Sequence, residues 1–273
     1  MLDPLKRSDQ MNNLLLLTND DGYTSPGLRA LWQVLDREFE TIVVAPSRQR
    51  SWIGKAISNP GPLSLEHKLV DGKQVTVLRD GLPADCTNIG LYHICPCRPD
   101  LVISGINIGP NFTTSLMLAS GTVGAALEAA ENGVPGVAVS MELEPALYGQ
   151  IEASHQEGHL EHFQEAAQMV LAIVKHLVAN RLPPELKLVN VVMPQVMAQP
   201  PTIVQCRPLP YEYGSVFIRQ GDQFVNRSVG FIRDQADITP MSDVWVVQQG
   251  WIALTTLTGR LELCTDVQLR IEL

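Results

Sequence analysis

The sequence predicts an α/β fold: a doubly wound, mostly parallel sheet with a β-rich C-terminal extension. Three observations carry this expectation. Apolar runs that do not alternate recur at Leu14–Leu17, Thr41–Ala45, Leu101–Gly105, Val137–Ser140 and Leu188–Met193, as strands buried on both faces do. Segments with helical spacing stand between several of these runs, as expected of βαβ units. Beyond Pro194, the prolines Pro200, Pro201, Pro208 and Pro210 interrupt the chain, and two-fold alternation replaces helical spacing. We therefore expect residues 1–10 to be an N-terminal extension and 11–195 to be the core carrying the functional site. Residues 196–273 are expected to extend the same domain, and their apolar segments such as Val244–Val247, which one core would not cover, point to an oligomer interface.

The elements follow in order. The Leu14–Leu17 strand ends abruptly in Asn19, Asp20, Asp21 and Gly22. Ser25 is placed to cap a helix beginning at Pro26, with Leu28, Leu31, Trp32 and Leu35 at helical spacing. Thr41–Ala45, closed by Pro46, completes a βαβ unit whose crossover should be right-handed. Leu63–Leu65 and Val75–Leu78 should pair as a hairpin about Asp71 and Gly72. A helix over Asp85–His93 follows Pro83. The Leu101–Gly105 strand opens into a long polar loop, Ile106–Ala119. Ser120, Gly121 and Thr122 then start a small-residue helix over Val123–Asn132, closed by Gly133. Val137–Ser140, an amphipathic helix over Leu160–Val178 and the Leu188–Met193 strand complete the core. The extension alternates around Phe217–Ile232 and ends in an apolar segment within Val244–Leu257.

Composition narrows the function. A formal net charge of −9 argues against a nucleic-acid-binding surface, which needs clustered Lys and Arg. Five cysteines without a C-x-x-C pair suit a reduced, intracellular protein, and we expect the cytoplasm. Met1–Gln10 is charged and polar, so no signal peptide is apparent, and the apolar run that follows is too short to span a membrane.

The chemistry lies at the strand ends. In open α/β sheets, ligands bind outside the carboxyl ends of the strands. Asp20 and Asp21 side by side at such an end repel each other unless a cation sits between them, which points to a hard divalent ion held by oxygen ligands. Alone, Asp-Asp-Gly also reads as a polar turn. The loop after the second strand offers Ser47, Arg48, Arg50 and Ser51. The loop after the third offers Asn107 and Asn111 among glycines, and glycine lets backbone approach a ligand closely. That loop leads to Ser120-Gly121-Thr122 at a helix start, where exposed N–H groups and the helix dipole favour an anion. Oxygen ligands for a cation facing a phosphate-type helix start describe a phosphoryl-transfer site. Each piece has a plainer reading too: a helix cap, a turn-rich connection, solvated arginines.

These residues resemble the SurE survival-protein family of metal-dependent 5′-nucleotidases. The resemblance runs through Thr18-Asn19-Asp20-Asp21-Gly22, Pro26-Gly27, Val43-Val44-Ala45-Pro46, Arg50-Ser51 and Gly54. It continues through Gly81, Pro83-Ala84-Asp85-Cys86, Ser104-Gly105-Ile106-Asn107, Gly109, Asn111 and Ser120-Gly121-Thr122-Val123-Gly124-Ala125-Ala126. In the second half it is carried by Gly250-Trp251-Ile252-Ala253-Leu254-Thr255. The resemblance implies a Rossmann-like core and a C-terminal part that builds homodimers or homotetramers by exchange. It implies hydrolysis of nucleoside 5′-monophosphates by a metal-associated water, with 3′-monophosphates and short polyphosphate as further substrates. It implies one divalent cation per subunit, magnesium or manganese, held by Asp20, Asp21, Ser51 and Asn107. Asn111, Ser120, Gly121 and Thr122 would hold phosphate, and Asp20 with Asn107 would be the catalytic pair. The implied partner is a small nucleotide or phosphate, with no nucleic-acid duplex and no membrane.

Two departures bear on activity. Ser115 stands where family members commonly carry an acid, and the stretch from Asn111 to Ser120 is one residue longer than usual. A nucleotide- or phosphate-binding protein with weak or lost turnover, or a phosphatase for another small phosphomonoester, is therefore kept as an alternative. Zinc at His155, His159 and His162 is set aside, because Gly158 interrupts the helix that would align them. A P-loop is rejected because Gln49 occupies its first glycine position. No G-x-G-x-x-G follows the first strand, which counts against a dinucleotide cofactor, and no G-x-S-x-G elbow is present.

Overall fold

The computed structural model describes residues 12–154, 158–180, 183, 186–226 and 238–258. The expected extension over residues 1–10 and part of the alternating stretch, 227–232, lie outside the described residues. The elements run β1 (Leu14–Thr18), α1 (Pro26–Leu35), β2 (Glu40–Pro46), β3 (Ser64–Val70), β4 (Lys73–Arg79) and α2 (Pro83–Ile89). Then come β5 (Leu101–Ile108), α3 (Thr114–Ala119), α4 (Gly121–Glu131), β6 (Gly136–Met141), α5 (Pro145–Ala153), α6 (Gln164–Asn180) and β7 (Leu188–Met193). The remainder holds β8 (Ile203–Gln205), β9 (Phe217–Gln220), β10 (Gln223–Asn226), α7 (Asp243–Gln248) and β11 (Ile252–Leu257).

Among the described residues, nine strands form one sheet in the order β3-β4-β2-β1-β5-β6-β7-β11-β8. The run from β4 to β7 is parallel, β3 and β11 pair antiparallel, and β8 runs parallel to β11. This is the doubly wound α/β architecture that the sequence predicts. From β1 the chain winds outward through β2 on one side and returns through β5 on the other. The switch point therefore lies between the carboxyl ends of β1 and β5, where such sheets bind ligands.

Burial explains the unalternating strands. In β1, Leu15 and Leu17 enter a core with Leu28, Leu31 and Leu35 of α1 and Val170 and Val174 of α6. Leu14 and Leu16 point the other way, into a second core with Cys86, Leu91 and Ala129. Successive side chains of a strand face opposite sides, so helices on both faces leave no position for a polar residue. Close approach explains two glycines. A Cβ on Gly27 of α1 would sit 2.0 Å from the Ile106 carbonyl oxygen, and one on Gly136 of β6 would sit 2.1 Å from that of Ala126.

Several elements depart from expectation. Ser25 occupies the N-cap position of α1 but makes no side-chain cap bond; Pro26 supplies the start instead. The helix after Pro83 is opened by Asp85, whose carboxylate accepts the Leu82 N–H at 2.8 Å, and it loosens into a π-turn over Gly90–Ile94. The loop expected over Ile106–Ala119 contains the end of β5 and the short helix α3. Helix α5 stands where none was expected, and α6 is preceded by a 3-10 turn, Leu160–Phe163. Val244–Val247 is helical, and Val244, Val246 and Val247 are buried against Phe112, Leu209 and Ala253, so this chain covers its own valines. The hairpin turn at Asp71 and Gly72 forms with φ of 51° and 77°. Among the described residues, no helix is long and apolar enough to cross a membrane.

The Gly27 contact gives a stability prediction. Gly27→Ala should lower unfolding free energy by about 1–3 kcal/mol, the usual cost of overpacking, in urea titrations followed by circular dichroism. Unchanged or raised stability would contradict this packing.

Candidate active site

The site grows from the end of β1. Asn19, Asp20 and Asp21 are all buried, and Gly22 turns the chain with φ of 102°. A side chain on Gly22 would meet the backbone of Arg48 at 3.3 Å. The Asn19 amide donates to the Gly22 carbonyl at 2.8 Å and holds this turn. The loop after β2 closes over it, with the Arg50 N–H donating to the Asp20 carbonyl at 2.6 Å. Ser51 follows directly.

The two carboxylates have different surroundings. Thr122 at the start of α4 donates its hydroxyl to Asp20, and backbone groups of Gly121 and Thr122 favour its ionised form. Desolvation outweighs these contacts and pushes the Asp20 carboxyl up to about 6. Asp21 accepts the Ile108 N–H at 3.0 Å through Oδ2. Burial, then the neighbouring Asp20 charge, push it well above the usual carboxylate range. Space for Asp20 depends on Gly121, where a Cβ would lie 2.9 Å from its carboxylate.

From β5, the Asn107 amide donates to the Gly109 carbonyl at 2.6 Å, so its nitrogen is engaged and its oxygen is the atom able to accept or ligate. The Asn111 backbone is held on both sides. Its N–H donates to Ser140 Oγ at 2.9 Å, and its carbonyl accepts from the Asn190 amide at 2.8 Å. Two residues on, the Thr113 N–H donates to buried Asp243 at 2.7 Å. The same carboxylate accepts the Leu209 N–H at 2.9 Å.

Eight side-chain atoms are buried with no hydrogen-bond partner among the described residues, and three of them belong to the candidate site residues and their immediate neighbour: Asn19 Oδ1, Asp21 Oδ1 and Asn111 Nδ2. The first two are acceptors and the third is a donor. Buried groups left unpaired cost about 1–3 kcal/mol each, so partners from outside the chain are called for. Oxygen acceptors beside two carboxylates suit a hard divalent cation, and an amide donor suits phosphate oxygen. The residues present fit a metal-phosphate site.

The other candidate side chains have partners within the chain. Arg48 and Arg50 pair with Asp80 at 3.2 and 3.4 Å, and Ser47 accepts the Asp80 N–H at 3.4 Å. Ser120 caps α4 by accepting the Val123 N–H at 3.1 Å, and Thr122 serves Asp20. The helix start expected to face phosphate thus addresses the Asp20 carboxylate first. His155 lies outside the described residues; His159, Glu161 and His162 gather donor atoms within 4.8 Å on a turn near the surface. Sequence reasoning missed Ser140, Asn190 and Asp243. Asn190 had a visible signal, a lone amide inside the apolar Leu188–Met193 strand. Tyr148 of α5 was also missed, and its ring would lie 3.9 Å from a Cβ on Gly109.

The family described as Survival protein SurE matches residues 15–214. A relative named 5′-nucleotidase SurE from Pelobacter propionicus is 38% identical over 194 residues, spanning 70% of this chain and 71% of its own. One of the same name from Pelotomaculum thermopropionicum is 35% identical over 247 residues, 88% and 87% of the two chains. The crystal structure of SurE from Aquifex aeolicus superposes with a TM-score of 0.72 at 28% identity, covering 91% of this chain and 94% of that one.

Proton competition gives a prediction. Below pH 6 a cation must displace the proton on Asp20, because a carboxyl must ionise to ligate. Asp21 is raised as well, so calorimetric manganese affinity should fall by about tenfold or more between pH 7.5 and 5.0. Equal affinity at both values would contradict a site built on these carboxylates.

Proposed function

Because this chain belongs to the Survival protein SurE family, we propose that it is a metal-dependent phosphomonoesterase hydrolysing nucleoside 5′-monophosphates. The observation that carries this reading is the pair of adjacent buried carboxylates in a site where, among the described residues, an Asp21 oxygen and the Asn111 amide nitrogen have no partner. Asp20, Asp21, Ser51 and Asn107 would hold one divalent cation, magnesium or manganese. When bound, the cation supplies a nucleophilic water and neutralises charge on the transferring phosphoryl group. Asn111 Nδ2 donates to a phosphate oxygen, and the Ser140 and Asn190 contacts keep that loop in place. Gly121 and Thr122 act through Asp20, holding its carboxylate at the positive end of α4. Asp20 and Asn107 would stand nearest the reacting atoms. 3′-Monophosphates and short polyphosphate fall within the same phosphate chemistry.

A second reading is a nucleotide- or phosphate-binding protein with weak turnover. Ser115 favours it: its hydroxyl donates to the Tyr211 carbonyl, so it braces the chain where relatives commonly present an acid. A phosphatase for another small phosphomonoester is separated from both by a substrate panel.

Cys86, Cys95, Cys97 and Cys206 are unpaired, which supports a reducing compartment, the cytoplasm. A homodimer or homotetramer is supported by the β9–β10 hairpin, which exposes Phe217, Ile218, Phe224 and Val225, an apolar ribbon of the kind that marks an interface. Light scattering should give a multiple of the chain mass; a single-chain mass would contradict this assembly.

Purified protein with magnesium or manganese should release phosphate from nucleoside 5′-monophosphates and stop on chelation. Asp20→Asn should reduce release by about a hundredfold or more while leaving the circular dichroism spectrum intact. Near-wild-type release in that variant would contradict the role given to Asp20.

A further inference from the structure

Beside the metal-ligand loop stands an aromatic pair that the reaction so far leaves without a role. Trp52 follows Ser51 and lies two residues from Arg50, whose N–H contacts the Asp20 carbonyl; its Cα is thus within about 8 Å of that of Arg50. The loop is pinned on its far side as well, where the Gly54 N–H donates to the Ala119 carbonyl at 2.9 Å. Between the pins, Ile53 turns inward and lies 2.9 Å from where a Gly121 Cβ would stand. Trp52 turns outward, with 39% of its surface exposed. Its φ is 60°, a conformation that bulky residues rarely adopt and that clusters at ligand-binding sites.

The second ring comes from the other half of the chain. Tyr213 approaches Trp52 with ring centroids 5.8 Å apart and planes at 82°. Its segment is fixed to the phosphate side of the site by three contacts. Asp243 accepts the Leu209 N–H, the Thr114 N–H donates to the Leu209 carbonyl, and Ser115 donates to the Tyr211 carbonyl. Leu118 of α3, 72% exposed, has its carbonyl oxygen 3.0 Å from a Cβ on Gly54, adding apolar surface next to this loop.

Two rings at nearly a right angle form a corner. A flat aromatic group stacks on one ring and meets the other edge-on, both favourable arrangements. Neither ring offers a pattern of donors and acceptors that distinguishes one base from another, and stacking tolerates every base because each has a π-face. On the nucleotidase reading, from which this inference proceeds, we propose that Trp52 and Tyr213 form the subsite that receives the nucleobase. The subsite accepts all bases and favours purines over pyrimidines by their larger stacking area.

The test compares adenosine 5′-monophosphate with ribose 5-phosphate, which keeps the sugar and phosphate and lacks the base. Trp52→Ala should reduce kcat/KM for the nucleotide about tenfold more than for ribose 5-phosphate, mainly through KM. Trp52→Phe should keep most of the discrimination, whereas Trp52→Leu, apolar and bulky but without a π-face, should lose it. Equal losses for both substrates, or discrimination unchanged in Trp52→Ala and Trp52→Leu, would overturn the assignment. If the wild-type protein hydrolyses neither compound, the nucleotidase reading fails. Calorimetric binding with manganese present then decides the subsite by itself. An affinity margin for the nucleotide that Trp52→Leu removes supports it, and no margin in the wild type overturns it.

Discussion

The structure depends on keeping two neighbouring carboxylates, Asp20 and Asp21, buried at the end of a central strand. Burial penalises their charge and each penalises the other, so the surrounding elements are arranged to compensate. Thr122 and the start of α4 address Asp20, and the last residues of β5 address Asp21. The absence of a side chain at Gly121 makes room for the Asp20 carboxylate. These contacts do not neutralise two negative charges, and Asp21 keeps one oxygen without a partner among the described residues. On the proposed function a divalent cation would remove the remaining conflict, which makes the metal the organising element of that reading.

The strands were legible because helices cover both faces of the sheet, leaving apolar runs without alternation. The site loops were legible because glycines, amides and acids fall directly after those runs. What stayed hidden rests on long-range contacts or on weak local signals. Helix α5 buries only Leu147 and Ile151, too few apolar residues to set a helical period. Val244–Val247 has the β-branched composition of a strand, yet the Ser242 hydroxyl accepts the Trp245 N–H at 3.3 Å and caps a helix there. Asn107 fell in an expected loop, whereas β5 continues through Ile108 with a shift in register against β6 after Ser104. No local pattern in the sequence reveals that Asp243 contacts Thr113 or that Ser140 contacts Asn111.

Those distant contacts tie the C-terminal part of the chain to the site. Asp243 holds both the Thr113 N–H and the Leu209 N–H, and β11 pairs with β7 inside the main sheet. Asn190 reaches the Asn111 carbonyl from β7 itself. Losing one such bond costs about 1–3 kcal/mol, a tolerable loss for a domain of this size. A displacement of about 1 Å of a phosphate-contacting group can cost roughly a hundredfold in rate. The network therefore matters more for positioning than for stability.

The central claim is that side chains from three strand-end loops share one ion. The most direct measurement is a crystal structure of the protein with manganese, located by its anomalous signal. The account predicts one strong peak about 2.1–2.3 Å from oxygens of Asp20 and Asp21, with Ser51 and Asn107 completing the set. A peak elsewhere, or none in crystals that hold manganese at saturating concentration, would contradict it.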